Sequence, residues 1–504
     1  MKIFNADQIK LLDQATVTLE SISSTDLMER AARAFVSHFS EHYPSSSPIV
    51  VFCGTGNNGG DGLAIARLLL DLGYTVSCYL AGNENLLSHD ARHNYLRLKK
   101  HIPVTIITST DHLPSICPNS GIIIDAIFGT GLNRPVAGWN KQLIEFINTL
   151  ECEVVSVDIP SGLYTDQYQK EGVAVKADLT ITFQAPKLTM LLPENAIYIP
   201  RFHIVDIQLH SQSIEDMYSR YHFVNPVYIK KIYRRRAHFS HKGTYGNAIL
   251  LTGSYGMMGA ALLSTMACVR AGAGKTTAYV PSCGYKIMQS GVPEAMTMCG
   301  ADEKILCMSN LDLNIYDGIG IGPGIGNSET TKSALTTWLK QCKKPTVLDA
   351  DALNIIASTA DLLHFIPTHS VITPHPKEFD RMFGNHNDHL SRLQTGISKA
   401  VQLKIIIVLK GSYTAIITPE GQVFFNSTGN AGLAKGGSGD VLTGIITALI
   451  SQGYESQEAA LLGVYLHGLT ADLCIKHNIQ TMETLTPTDL CAHLHLSYAQ
   501  VGSY

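Results

Sequence analysis

PIVVFCGTGNNGGDGLAIARLLLDLG, residues 48–73, sets the architecture of the chain. PIVVFCG (48–54) is a short apolar run rich in β-branched residues, the composition of a buried strand. GTGNNGGDG (54–62) is a glycine-rich turn, and DGLAIARLLLDLG (61–73) has the apolar spacing of a helix, placed to start near Asp61. Strand, tight turn and helix in that order form the repeating unit of a parallel sheet covered by helices. The same alternation continues through strand-like TVSCYL (75–80), GIIIDAIFG (121–129), EVVSVDIP (153–160) and DLTITF (178–183), with helical NKQLIEFINTL (140–150) between them.

Near 211–225 the pattern breaks into the polar HSQSIEDMYSR, then the basic YIKKIYRRRAHFSHKGTYG. A domain boundary falls there, giving domains 1–215 and 216–504, and the Arg234–Arg236 run reads as a solvated linker. A second alternating set follows: NAILLTG (247–253), KTTAYVP (275–281), YDGIGIGPG (316–324), PTVLDAD (345–351), SVITPHP (370–376), KIIIVLKG (404–411) and TAIITP (414–419), ending in mostly helical sequence. Both halves are therefore α/β, a length of 504 residues being too great for one core.

Composition narrows the function classes. Hydrophobic residues make up 45%, charged residues 16%, and the net charge is −4, which argues against nucleic acid or an acidic membrane as the main partner. The N-terminus has no secretory pattern, and no uninterrupted run of 18 apolar residues suggests a membrane span. The 11 cysteines are scattered without a CxxC pair, as for thiols in a reducing cytoplasm.

Open parallel sheets bind ligands at the carboxyl ends of their strands. The glycine-rich segments 54–62, 129–131, 161–162, 253–259, 322–326 and 436–439 all fall at such ends. In the first half, GxGxxG alone is a weak dinucleotide signal, and the next strand ends Tyr79-Leu80-Ala81-Gly82 without the acid a dehydrogenase needs for ribose. Asn58, Asp125, Asp158 and Ser161 converge on one sheet edge, an oxygen-rich set suited to a hard cation and not to zinc.

GNNGGDG, DAIFGTGLNRP and VDIPSG, in this order and spacing, resemble the YjeF N-terminal family of NAD(P)H-hydrate epimerases over most of residues 1–210. The resemblance implies a Rossmann-like three-layer domain. It implies that Asn57, Asn58, Gly59, Gly60 and Asp61, with Gly129, Thr130, Gly131, Leu132, Asn133, Arg134 and Pro135, hold the hydrated nucleotide. It also implies a potassium ion on Asn58, Asp125 and Ser161, with Asp158 at the altered ring as the acid–base group.

In the second half, NAGLAKGGSGDVLTGI (430–445) reads as an anion hole at a helix N-terminus with Asp440 at its mouth, placed to take a proton from an attacking hydroxyl. Gly437-Ser438-Gly439-Asp440 resembles the anion hole of ribokinase-like enzymes. With GSYGMMGAALLSTMACVRAGAG (253–274), IGIGPGIG (319–326), TPHPKEFDRMFG (373–384) and LKGSYTAI (409–416), residues 225–500 resemble the ADP/ATP-dependent NAD(P)H-hydrate dehydratases. That resemblance implies that Lys410, Gly411, Ser412, Tyr413 and Thr414, with Asn430, Ala431, Gly432, Leu433, Ala434, Lys435, Gly436, Gly437, Ser438 and Gly439, hold the adenine nucleotide. Ala260, Gly324 and His375 would contact substrate, and Asp440 would be both substrate contact and catalytic base. Lys435 either assists phosphate binding or points outward.

The implied activity is repair of NADHX and NADPHX, the hydrated forms of NADH and NADPH, by epimerisation and then dehydration driven by ADP or ATP with magnesium. ADP is favoured because the fusion looks bacterial. A cytoplasmic homo-oligomer is expected. The rival readings are a vitamin-precursor kinase fused to a nucleotide-binding scaffold, and a first half that is scaffold alone. Two decoys are set aside. VRAGAGKTT (269–277) has its glycines in helix-to-strand order, the reverse of a P-loop, and no His, Asp or Cys lies at metal-ligand spacing from His375.

Overall fold

The computed structural model describes residues 1–109, 121–167, 171–307 and 311–503. It divides into two compact units, one of residues 2–221 and one of residues 222–504 together with Met1.

In the first unit, seven parallel strands run along the chain as Ile49–Cys53, Val76–Ala81, Val104–Ile107, Ile122–Ala126, Glu153–Val157, Leu179–Phe183 and Phe202–Val205. Numbered in that sequence, they lie 3-2-1-4-5-6-7 across the sheet. In the second unit, nine of the strands among the described residues (Asn247–Leu251, Lys275–Val280, Met296–Cys299, Gly318–Ile321, Val347–Leu348, Val371–Ile372, Ile406–Leu409, Ala415–Ile417 and Val423–Phe425) lie 3-2-1-4-5-6-7-8-9, and Tyr221–Phe223 follows beside the ninth. The last two pairings of that series are antiparallel and the others parallel. In both units the winding reverses between strands 1 and 4, opening the crevice that doubly wound sheets use for ligands.

The apolar runs form strands because both faces are covered. Val51, Leu63, Ile65, Ile124 and Val155 belong to one fully buried cluster. Leu250, Val347, Val408, Val441 and Ile445 belong to another. Every residue from Val441 to Ser451 in the helix Ser438–Ser451 is buried, as expected of a helix apolar on all sides. The helix Ser456–Lys476 is long and apolar enough to cross a membrane, but its apolar window is 83% buried among its neighbours, as a core helix is.

Three readings from the sequence need correction. The helix after the first strand begins at Asn57 rather than near Asp61, so Gly59, Gly60 and Gly62 lie inside it. They serve close packing. A Cβ on Gly59 would sit 1.8 Å from the Gly54 carbonyl oxygen, and one on Gly62 would sit 2.5 Å from Ala126 Cβ. The run Arg234–Arg236 is exposed, as a solvated run is, but it is not a linker: it lies inside the second unit and each arginine has a partner. Arg234 pairs with Glu458 at 2.6 Å and lies over the Tyr454 ring, Arg235 donates to the Gly502 carbonyl, and Arg236 covers the Tyr245 ring at 3.9 Å. The pattern also missed the edge strands Val104–Ile107, Phe202–Val205 and Met296–Cys299, and the three-residue Val423–Phe425. Edge strands are half exposed, so their residues need not be uniformly apolar.

Candidate functional site

At the reversal point of the first unit lies a cavity of about 870 Å³. Its wall includes Asn57, Asn58, Asp61, residues 129–134 and Asp158, together with Asp13 and Lys187. Gly59, Gly60 and Pro135 are not part of that wall. The first intrahelical bond, from the Gly60 amide to the Gly56 carbonyl, leaves the amides of Asn57, Asn58 and Gly59 at the open helix end, where an anion is favoured.

Asp125, at the end of the fourth strand, is fully buried. It accepts from Ser156 Oγ at 2.8 Å, Ser161 N at 2.8 Å, Ser161 Oγ at 2.5 Å and Ile127 N at 3.3 Å. Burial pushes its carboxyl up and these bonds oppose the push. The Phe128 carbonyl joins the group, accepting from Asn58 Nδ2 at 3.0 Å and lying 3.2 Å from Ser161 Oγ. Asn58, Asp125 and Ser161 are thus neighbours beneath the cavity, and the Phe128 carbonyl is a fourth oxygen, of the backbone kind the sequence suggests without naming the residue. An all-oxygen set containing one carboxylate fits a hard cation.

Asp158 ends the fifth strand with φ of +64°, a left-handed conformation uncommon for a residue with a Cβ. Such outliers recur at functional sites. Its Oδ1 accepts from Phe183 N at 2.9 Å, Thr182 Oγ1 at 3.1 Å and the ammonium of Lys187, which is 2% exposed. Lys187 also donates to Thr182 Oγ1 at 2.8 Å and to the Phe183 carbonyl at 3.0 Å, so its charge is fixed on Asp158. Burial, then the Asp158 charge, pushes the Asp13 carboxyl up to about 7, with Lys187 opposing. Burial, then the charges of Asp158, Asp13 and Asp90, pushes Asp61 up as well. Asp13 and Lys187 were missed because each is a lone ionisable residue in an unremarkable segment. Only the fold brings them to the cavity.

In the second unit, Gly322 (φ +131°) and Gly324 (φ +66°) carry the chain past the end of the fourth strand. A Cβ on Gly324 would sit 3.0 Å from Ala260 Cβ, so these two expected substrate contacts adjoin. His375 starts the helix Pro376–Phe383, its Nδ1 accepting from the amides of Lys377 and Glu378, and its Nε2 lies 3.5 Å from Glu378 Oε1. The segment Val269–Thr277 runs from a helix ending at Arg270 into a strand starting at Lys275, the wrong order for a P-loop.

The helix Ser438–Ser451 starts on Gly437, whose φ of +97° a Cβ would resist. Asp440 is its third residue, so Asp440 is not the cap, and no side chain caps this helix. Its first-turn amides stay available to an anion. Lys410 Nζ would lie 3.0 Å from a Cβ on Gly439, which places the ammonium against that same turn. Asp349, 1% exposed, holds it there by accepting from Lys410 Nζ at 2.8 Å and from Thr443 Oγ1 at 2.8 Å. Burial, then the charge of Asp349, pushes the Asp440 carboxyl up to about 7, with Lys410 opposing. His467, next to the Ser438 backbone, is pushed down to about 4 by burial and by Lys410 and is neutral at pH 7.

Asn430 is braced by Asp472, to which its Nδ2 donates at 2.9 Å. Gly411 and Thr414 close a turn through a 3.0 Å bond, and the Lys435 ammonium turns to the Glu483 carbonyl. Asp349 was also missed. Its signal was present, an acid ending the apolar run PTVLDAD.

Two family models match, one described as YjeF-related protein N-terminus over residues 24–189 and one as NAD(P)H-hydrate dehydratase over 248–494. The bifunctional NAD(P)H-hydrate repair enzyme of Moorella thermoacetica is 34% identical over 94% of this chain and 92% of its own length. The chain belongs to the bifunctional NAD(P)H-hydrate repair family. Members from Thermofilum pendens, at 34% identity over 98% of this chain and 95% of the relative, and Escherichia coli, at 31% over 94% and 89%, share both halves. A solved ADP/ATP-dependent NAD(P)H-hydrate dehydratase from Bacillus subtilis, co-crystallised with ATP and Mg2+, covers 56% of this chain and 98% of its own at 31% identity, with a TM-score of 0.48.

Proposed function

We propose that the first unit interconverts the R and S forms of NADHX and NADPHX, and that the second dehydrates the S form at the expense of ADP or ATP. The observation that carries the second half is the placement of Asp440 on the first turn of one glycine-started helix, with the Lys410 ammonium against that turn.

In the first unit, the hydrated carbon bears a hydroxyl and is bonded to the ring nitrogen. Asp158, ion-paired to Lys187, takes the hydroxyl proton, and Asp13 gives a proton at the ring nitrogen. The carbon–nitrogen bond opens to an aldehyde, and reclosure on its other face inverts the carbon. Asn57, Asn58, Asp61 and residues 129–135 hold the nucleotide. Asn58, Asp125 and Ser161, with the Phe128 carbonyl, would hold a potassium ion, which supplies positive charge beside the nucleotide.

In the second unit, Asp440 takes the proton of the ring hydroxyl as its oxygen attacks the terminal phosphorus of the nucleotide. The first-turn amides of the helix and Lys410 meet the charge that develops on the phosphoryl oxygens. Phosphate then leaves with the ring oxygen, the adjacent carbon loses a proton, and the ring double bond is restored. The other product is AMP from ADP, or ADP from ATP. Residues 410–414 and 430–439 hold the nucleotide, and Ala260, Gly324 and His375 the substrate. Magnesium, brought with the nucleotide, neutralises phosphate charge. ADP is the preferred donor, and the enzyme works in the cytoplasm as a homo-oligomer.

The test follows absorbance at 340 nm with mixed R and S NADHX, ADP, Mg2+ and K+. Full recovery of NADH, lost in Asp440→Asn, is expected. Recovery of the S fraction alone would leave the first unit a scaffold. No recovery with ADP or ATP would favour the kinase reading.

A further inference from the structure

The helix Ser24–His42 ends in His38-Phe39-Ser40-Glu41-His42. Positions 38, 41 and 42 are separated by three and four residues, so they share one helix face. Their ligand atoms lie within 4.8 Å of one another. The neighbouring edge strand Phe202–Val205 brings a third imidazole, His203, whose ring stacks on that of His38 with centroids 3.5 Å apart and planes 6° from parallel. The His38 and His42 rings are 4.3 Å apart. Phe39, between them in sequence, points the other way into the core, so the cluster stands outside the hydrophobic packing.

We propose that His38, Glu41 and His42 form a site for a borderline divalent transition metal such as Zn2+, separate from both nucleotide sites. Two observations support it. First, the His42 Nδ1 contacts the His38 carbonyl oxygen at 2.9 Å. A carbonyl can only accept, so Nδ1 carries the hydrogen and Nε2 presents its lone pair. Metal-binding histidines are oriented by this kind of second contact. Second, two imidazoles and one carboxylate with open positions form a recurrent set for such metals, and imidazole selects them over magnesium or potassium. An ion held by the last turn of the helix binds the folded chain only, so it should stabilise the first unit.

The test uses tag-free full-length protein, freed of metal by chelator. Equilibrium dialysis against Zn2+ should find one tight ion per chain, Co2+ should give a visible absorption band, and the first unit should melt at higher temperature with Zn2+. His42→Ala and Glu41→Gln should each weaken Zn2+ binding at least about tenfold. Both residues are exposed and distant in sequence from the acid–base groups, so epimerisation and circular dichroism should be unchanged and should confirm folding. Zn2+ bound equally well by a His38→Ala/His42→Ala double variant with native circular dichroism, or no binding at all by the unaltered chain, would overturn the proposal.

Discussion

Asp440→Asn should make the second unit more stable while abolishing its chemistry. Moving a carboxyl from its ordinary 3.8 up to about 7 disfavours the ionised form by roughly 4 kcal/mol in the folded state. Asparagine carries no charge to bury, so the gain at pH 8 should be of order 2–4 kcal/mol, the upper figure assuming that its amide fits as well as the acid. The pH dependence has a fixed sign. Below 3.8 both folded and unfolded chains hold the proton, and the charge costs nothing. Between 3.8 and about 7 the unfolded chain ionises first, and the cost grows. Above about 7 it is constant. The advantage of the variant should therefore be small at pH 4.5, rise towards pH 7 and level off. The assay is thermal melting of the full chain, the relevant transition being the one that ADP shifts upward. The variant should raise that transition by several degrees at pH 8, and dehydration should fall by about two to four orders of magnitude. A variant no more stable than the parent at pH 8, or one with the same gain at pH 4.5, would refute the claim that burial of the charge sets the properties of Asp440.

Lys187→Met removes one partner of a buried ion pair and should cost the first unit about 3–5 kcal/mol, read as an earlier first transition in urea, with loss of epimerisation. Epimerisation should decline as pH rises through about 7, because the Asp13 carboxyl then loses the proton it donates. In Asp13→Asn the rate should be low throughout and that decline should disappear, as measured by coupling to excess dehydratase. Exchange of potassium for tetramethylammonium should slow epimerisation and leave dehydration of pure S substrate unchanged. Gly62→Ala should destabilise the first unit by about 1–3 kcal/mol in urea titration, since the added methyl meets Ala126 and Cys53.

The sequence made the parallel cores legible because PIVVFCG and NAILLTG are apolar on both faces, and only strands covered on both sides need that composition. It did not reveal Met296–Cys299, whose Met296 and Met298 are 50% and 41% exposed. Asp158 and Asp440 were legible because each sits in a glycine-rich motif beside a strand or helix end. Asp13 and Lys187 were not, being 145 residues before and 29 residues after Asp158 in numbering, with no motif around either. Their role is a matter of long-range placement, and local pattern carries none of it. The start of the helix at Asn57 was misjudged for a different reason. Glycine usually breaks helices, but here its missing side chain is what lets a helix lie against a strand.

That early start has a kinetic consequence. The amides of residues 57–59 belong to the first turn of a buried helix rather than to a loose loop, so they are already ordered before any ligand arrives. Binding there gives up little chain entropy. Association should then proceed in one phase, without a slow ordering step behind it, and any gating of entry into the cavity must come from the exposed side, where Asn133 and Arg134 lie.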